Sequence, residues 1–244
     1  MRKVKRFDSF DDMAAYEAGA ICAMADPCVE DHGHFSMVLS GGSTPRKLYE
    51  MLATVPYRDR MPWQQTHIFW GDERCVPPDH SDSNYAMASQ ALLSKVPIPA
   101  ENIHRMMGET DPPARAADDY QSMIADFYRQ RDIEVVDYPV FDMILSGVGD
   151  DGHTASLFPG EDSLSEKQRW VCAVEAPPYM VVKNRLTLTV PVFNNGSRVV
   201  FFVSGEKKRD IVNGVLSHPD VRSTYPAALI DNERGVEWLI DFDL

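Results

Sequence analysis

The stretch Phe141-Asp142-Met143-Ile144-Leu145-Ser146-Gly147-Val148-Gly149-Asp150-Asp151-Gly152-His153-Thr154-Ala155-Ser156-Leu157-Phe158-Pro159-Gly160 decides the fold. Its first part is an apolar run of strand length. It then breaks into glycines and acids and presents one histidine. In an α/β fold the loop after a strand's carboxyl end is where ligands bind. Histidine is the side chain whose ordinary pKa lies nearest neutrality, so it can serve as a general base. Strand followed by His-bearing glycine loop is therefore a candidate catalytic centre, with Asp150 and Asp151 as orienters of the imidazole.

Outward from this stretch, strand and helix alternate. Strands are expected at 3–7, Phe35–Ser40, Thr66–Trp70, 140–146, Arg185–Val190 and Arg198–Ser204, with a last edge strand at Glu237–Phe242. Helices are expected at 9–27, from Thr44 to about Ala53, at 84–94 behind the N-cap Ser83, at 113–130 and over Glu206–Leu216. Thr44 suits an N-cap and Pro45 the first helical position. The alternation predicts an α/β fold: a mainly parallel, Rossmann-like sheet with helices on both faces. The Pro-rich segments near 97–99, 112–113 and 177–178 are too short to link independent domains, so residues 1–244 read as a single domain.

The 244 residues are 44 % hydrophobic, which excludes a largely disordered chain. No apolar run approaches the roughly 20 residues needed to span a bilayer, and the basic start Met1-Arg2-Lys3 lacks the apolar core of a signal peptide. A cytoplasmic protein is expected. The formal net charge of −13 repels nucleic acid and anionic membranes, so neither is an expected partner. An anionic metabolite would need basic residues gathered locally. Cys22, Cys28, Cys75 and Cys172 match no zinc spacing and no C-x-x-C motif, and read as free thiols.

Three further clusters carry chemistry. In Leu39-Ser40-Gly41-Gly42-Ser43-Thr44-Pro45 the glycines permit close backbone approach, and a helix start supplies N–H groups and a positive dipole end. Together with the Ser43 and Thr44 hydroxyls this is an anion site, or otherwise a plain strand-to-helix turn. Gly71-Asp72-Glu73-Arg74 follows a strand; Arg74 is a candidate anion clamp, or half of a solvated salt bridge. Arg185 and the run Lys207-Lys208-Arg209 form the last, an anion-binding group or otherwise a solvated basic face. Cations in a helix's first turn are mildly unfavourable, which suggests an anion nearby. No nucleophile elbow and no Cys–His pair is visible, and no second histidine stands at metal-ligand spacing, so no covalent nucleophile, metal or other cofactor is expected.

Taken together, the motifs resemble the 6-phosphogluconolactonases. The resemblance rests on Leu39–Pro45, Gly71-Asp72-Glu73-Arg74-Cys75-Val76-Pro77, Ser83-Asn84, Gly149–Gly160, Lys183-Asn184-Arg185-Leu186-Thr187-Leu188-Thr189 and Val203-Ser204-Gly205-Glu206-Lys207-Lys208, in order along most of the chain. It implies hydrolysis of 6-phospho-D-glucono-1,5-lactone to 6-phosphogluconate in the oxidative pentose phosphate pathway, by a monomer or weak homo-oligomer. His153 is then expected as general base and Asp151 as its orienter. Gly41, Gly42, Ser43, Thr44, Asp72, Arg74, Arg185 and Lys208 are expected to bind the phosphorylated substrate, with oxyanion stabilisation from a backbone N–H in the 147–153 loop. Asp150 stands where the family often has a non-acidic residue, which would shift the histidine's pKa upward. The related glucosamine-6-phosphate deaminases share the fold and both glycine-rich motifs. They tend to carry an aromatic residue in place of Arg74, and Ile-Ala-Phe-Asn-Glu-Pro where this chain has Thr154-Ala155-Ser156-Leu157-Phe158-Pro159. The missing acid favours the lactonase. A non-catalytic sugar-phosphate-binding protein is the remaining alternative. Such domains in regulators usually follow a DNA-binding helix pair, whereas this acidic chain starts its own sheet by about residue 3.

Overall fold

The computed structural model describes residues 2–217 and 224–244. Among the described residues nine strands form two sheets. The larger contains β1 (Arg2–Arg6), β2 (Phe35–Leu39), β3 (Thr66–Trp70), β5 (Met143–Ser146), β8 (Arg198–Val203) and β9 (Val236–Ile240), in the order β1-β9-β8-β5-β2-β3 with every pairing parallel. The smaller is antiparallel, with β4 (Asp72–Arg74) and β6 (Val171–Glu175) flanking β7 (Asn184–Leu188). Every residue of β2, β3 and β5 is buried, as expected of parallel strands covered on both faces.

The helices follow from the strand order. The chain passes through α1 (Phe10–His32) from β1 to β2, and through α2 (Ser43–Leu52) from β2 to β3, moving in one direction along the sheet. After β3 it turns back. It runs through α4 (Asn84–Ala91) and α5 (Pro113–Arg129) to β5, through α6 (Val190–Asn195) to β8, and through α7 (Arg209–Ser217) to β9. The short α3 (Tyr57–Arg60) precedes β3. Right-handed crossovers running in opposite directions must lie on opposite faces, so helices cover both. The reversal puts a topological switch point between β2 and β5, where ligands of open α/β sheets bind. One core cluster runs from the large sheet through Val171, Leu186 and Leu188 of the small one.

Several boundaries differ from the sequence expectation. Helix α1 continues past Pro27 to His32. The lost N–H of Pro27 costs a hydrogen bond. Its last turn is nevertheless closed by Gly33, at φ 84°, whose N–H donates to the Val29 carbonyl. Helix α2 starts at Ser43, with Gly42 as N-cap, so Thr44 is not the cap and Pro45 is the third helical residue. The Gly71–Arg74 segment that follows β3 enters a second sheet: Gly71 ends the large sheet, accepting from Leu188 N and donating to Leu39 O, and its successors form β4. The Glu237–Phe242 strand is interior, as β9 lies between β1 and β8. Its placement is fixed by Arg198, which is bidentate to buried Glu17 of α1 at 2.7 and 2.8 Å and to Glu237 at 3.1 Å on each arm. Glu206–Lys208 forms a 3-10 turn ahead of α7.

Candidate active site

Both glycine-rich segments leave the sheet at the switch point. Beyond β2, Tyr49 of α2 reaches back and clamps Ser40: its hydroxyl donates to Ser40 O at 2.8 Å and accepts from Ser40 N at 2.9 Å. Gly41 passes against Asn84 so closely that a Cβ would come within 2.0 Å of Asn84 Oδ1. Gly42 takes φ 107°, a region that favours glycine. No side chain caps the N-terminus of α2, and its first turn holds no acid. Its N–H groups and dipole are thus available to an anion.

Strand β4 brings in two charged residues with different duties. Asp72 is buried, accepting from Ser156 Oγ at 2.7 Å and Asn84 Nδ2 at 3.1 Å. Glu73 points the other way. Its carboxylate accepts from the N–H groups of Arg74, Asn84 and Tyr85 and from Ser83 Oγ, at 2.7–3.0 Å. Burial raises its pKa, against the pull of those bonds. Glu73 is therefore a cap for the N-terminus of α4 and holds the Arg74 backbone in place. Hydrogen bonds to a charged group contribute about 1.5–3 kcal/mol each.

Arg74 and Arg185 are direct cross-strand partners on β4 and β7, so their side chains leave the same face. Like charges at such a pair repel. Arg74 donates to Asp82 O at 2.6 Å and Arg185 to Val182 O at 3.0 Å, both backbone carbonyls. Neither forms a carboxylate salt bridge among the described residues. Burial lowers the Arg185 pKa and Arg74 lowers it further, against the opposite pull of Asp72, Asp82 and Glu73. Arg74 Nε is buried without a partner. Two adjacent, under-neutralised guanidinium groups make a site for a dianion.

Beyond β5, the loop folds onto its own histidine. Gly149 N donates to His153 O at 2.8 Å and Gly152 N to Gly149 O at 3.1 Å. The imidazole lies so close over Gly149 that a Cβ there would sit 2.1 Å from the ring. On another side the ring meets Phe158 at 4.9 Å between centroids. His153 Nδ1 is 2.5 Å from Asp151 Oδ1, which also accepts from His153 N at 3.1 Å. Tyr179 donates its hydroxyl to the other oxygen, Oδ2. Burial would push the Asp151 carboxyl up, but the bonds from His153 and Tyr179 outweigh it and hold it far below the ordinary carboxylate range. An ionised Asp151 places the proton on Nδ1 and leaves the Nε2 lone pair free as a base. The N–H groups of Gly149, Gly152 and His153 are spent inside the loop.

These segments enclose one cavity of about 250 Å³. It is lined by Gly41, Gly42, Ser43, Thr44, Asp72, Arg74, His153 and Lys208 of the expected residues. Asp151 and Arg185 are not in the lining; they stand behind His153 and beside Arg74. Lys208 is the one member of the Lys207-Lys208-Arg209 run in the lining, while Arg209 turns to Asp243 O. Its Nζ donates to Val148 O at 2.9 Å and pairs with Asp150 at 2.6 Å, pinning the histidine loop. Asp150 is thus engaged by Lys208, and the imidazole by Asp151. Sequence reasoning missed three contributors. Thr154 lines the cavity with its buried hydroxyl unpartnered. Ser156 fixes Asp72 from within the quoted motif, and Tyr179 fixes Asp151 from a Pro-rich segment that carried no signal.

Comparison with known proteins identifies relatives of the chain and of its fold. The family described as glucosamine-6-phosphate isomerases/6-phosphogluconolactonase matches residues 8–239. A 6-phosphogluconolactonase of Nostoc sp. is 38 % identical over 221 residues, covering 91 % of this chain and 88 % of the relative. That of Haemophilus influenzae is 37 % identical over 204 residues, 83 % of each chain. The solved 6-phosphogluconolactonase of Trypanosoma cruzi superposes with a TM-score of 0.85 at 29 % identity, covering 99 % of this chain and 94 % of that one. Match length, identity and shared architecture together place the chain in the glucosamine-6-phosphate isomerase/6-phosphogluconolactonase family.

Proposed function

We infer that the protein is a 6-phosphogluconolactonase, hydrolysing 6-phospho-D-glucono-1,5-lactone to 6-phosphogluconate in the oxidative pentose phosphate pathway. The observation that carries this is an Asp-oriented imidazole and an under-neutralised basic cluster facing one small cavity. The phosphate docks on the N-terminus of α2, with Gly42, Ser43 and Thr44, and against Arg74, backed by Arg185. Lys208 adds positive charge at the loop side. This anchoring holds the lactone carbonyl near His153, and binding energy from a remote phosphate is spent on orientation at the reacting carbon.

His153 Nε2 then takes a proton from a water attacking C1. The new C–O bond leaves negative charge on the former carbonyl oxygen. As that charge collapses, the bond from C1 to the ring oxygen breaks, and the imidazolium returns its proton to the leaving oxygen. Asp151 stabilises the transient imidazolium, and Tyr179 keeps Asp151 in place. A lactone is an activated ester, so this reading requires neither a metal nor an acyl-enzyme. General base catalysis of about 10²–10⁴-fold together with positioning accounts for turnover.

Free thiols at all four cysteines support a cytoplasmic location. Among the described residues no helix is long and apolar enough to cross a membrane.

The test is a coupled assay of lactone hydrolysis, corrected for the spontaneous reaction, run beside an ammonia assay with glucosamine 6-phosphate. Hydrolysis well above the spontaneous rate with no ammonia release is expected. Ammonia release without hydrolysis would make the chain a deaminase, and binding without turnover of either compound a sensor.

A further inference from the structure

The opposite end of the large sheet carries a cluster that the catalytic reading does not use. Cys28 and His32 stand one turn apart near the end of α1, so their side chains share a helix face. Asp142, just before β5, faces them. One ligand atom from each of the three lies within 4.8 Å of the others. His32 Nε2 is already 3.1 Å from Asp142 Oδ1. The cluster opens on a cavity of about 570 Å³ lined also by Asp31 and His34.

We propose that Cys28, His32 and Asp142 form a binding site for a borderline divalent cation of the zinc class, with its fourth position open to this cavity. A thiolate and an imidazole select such a cation over magnesium or calcium. Zinc bond lengths of about 2.0–2.3 Å put tetrahedral ligand atoms roughly 3.3–3.7 Å apart. The His32–Asp142 edge is near that length already, and a rotamer adjustment of about 1 Å brings in the sulfur.

The surroundings are built to orient the ligands. Asp142 Oδ2 is fixed by Ser36 N at 2.8 Å and Ser36 Oγ at 2.7 Å, which leaves Oδ1 for the ion. His32 Nδ1 lies 3.2 Å from His34 Nδ1, so with Nε2 on the metal the Nδ1 proton has an acceptor in the His34 tautomer that gives up its 3.2 Å contact to His32 O. The carboxylate of Asp31 adds favourable charge. On binding, Cys28 gives up its thiol proton to solvent and the sulfur takes the metal. The ion would join the end of α1 to the start of β5, the strand that delivers the His153 loop. The site is a clamp rather than part of the chemistry.

The experiment titrates the full-length reduced protein with Co²⁺ as a spectroscopic probe and then with Zn²⁺ in competition. One equivalent of Co²⁺ should give a thiolate-to-cobalt charge-transfer band that Zn²⁺ abolishes, and Zn²⁺ should raise Tm. Cys28→Ser should reduce the band at least tenfold, His32→Gln should weaken affinity at least tenfold, and Cys172→Ser should leave both unchanged. No band at stoichiometric metal, or a band that survives Cys28→Ser, overturns the proposal. A Cys28→Ser protein that fails to fold transfers the decision to His32→Gln, where unchanged affinity overturns it.

Discussion

Replacing His153 with alanine lowers kcat for 6-phosphogluconolactone hydrolysis by about 10²–10⁴-fold, the range contributed by a positioned general base. The loss falls on kcat because the imidazole acts on water in the transition state, while the phosphate is held by other segments. The loop should keep its shape. Its turn is set by backbone bonds between Gly149, Gly152 and His153, and by Lys208 pinning Val148 O. Asp151 keeps its bonds to Tyr179 and to the backbone N–H at position 153. Steady-state kinetics beside a thermal melt check this. An unchanged kcat in a folded variant would remove the base assignment.

The second large effect belongs to Arg74. Arg74→Ala should raise KM for the phosphorylated lactone about 10–150-fold, which is what losing one charge-assisted hydrogen bond of about 1.5–3 kcal/mol amounts to. A non-phosphorylated gluconolactone should barely notice the change, so discrimination between the two substrates collapses with KM. Arg74→Lys should recover only part of the loss, because a point charge lacks the planar fork that grips a phosphate. Arg74 also ties down Asp82 O, so some loosening of that loop accompanies the alanine variant. The substrate comparison separates the two causes, since a structural defect would impair both lactones alike. An unchanged KM for the phosphorylated lactone removes Arg74 from the phosphate site.

The parallel sheet was legible because its central strands are short apolar runs that end in glycines. Phe35–Leu39, Thr66–Trp70 and Met143–Ser146 are buried on both faces, and a fully buried strand shows as an unbroken apolar run. Of the small antiparallel sheet only β7 was legible, as the strand expected at Arg185–Val190. Val171–Glu175 is only half-buried, and β4 has three residues, two acids and an arginine, too short and too polar to show as a strand. The interior place of β9 depends on Arg198 joining Glu17 to Glu237, residues far apart along the chain. At the site, the glycine segments declared themselves, since they sit at strand ends where a ligand needs close backbone approach. The separate duties of Asp72 and Glu73 could not be read from adjacent letters. They follow from strand alternation, which sends one carboxylate to the cavity and the other beneath α4. Tyr179 was invisible for the same reason: an exposed tyrosine acquires meaning only when its hydroxyl is seen on Asp151 Oδ2.

The account stands on a polarity within one cavity, with the phosphate at the α2 and Arg74 end and the reacting carbon at the His153 end. A crystal structure with 6-phosphogluconate bound tests it most directly. The phosphate should lie against the Ser43 and Thr44 N–H groups and the Arg74 guanidinium, with the C1 carboxylate within hydrogen-bonding reach of His153 Nε2. A product molecule seated with its phosphate against His153, or bound outside this cavity altogether, would contradict it.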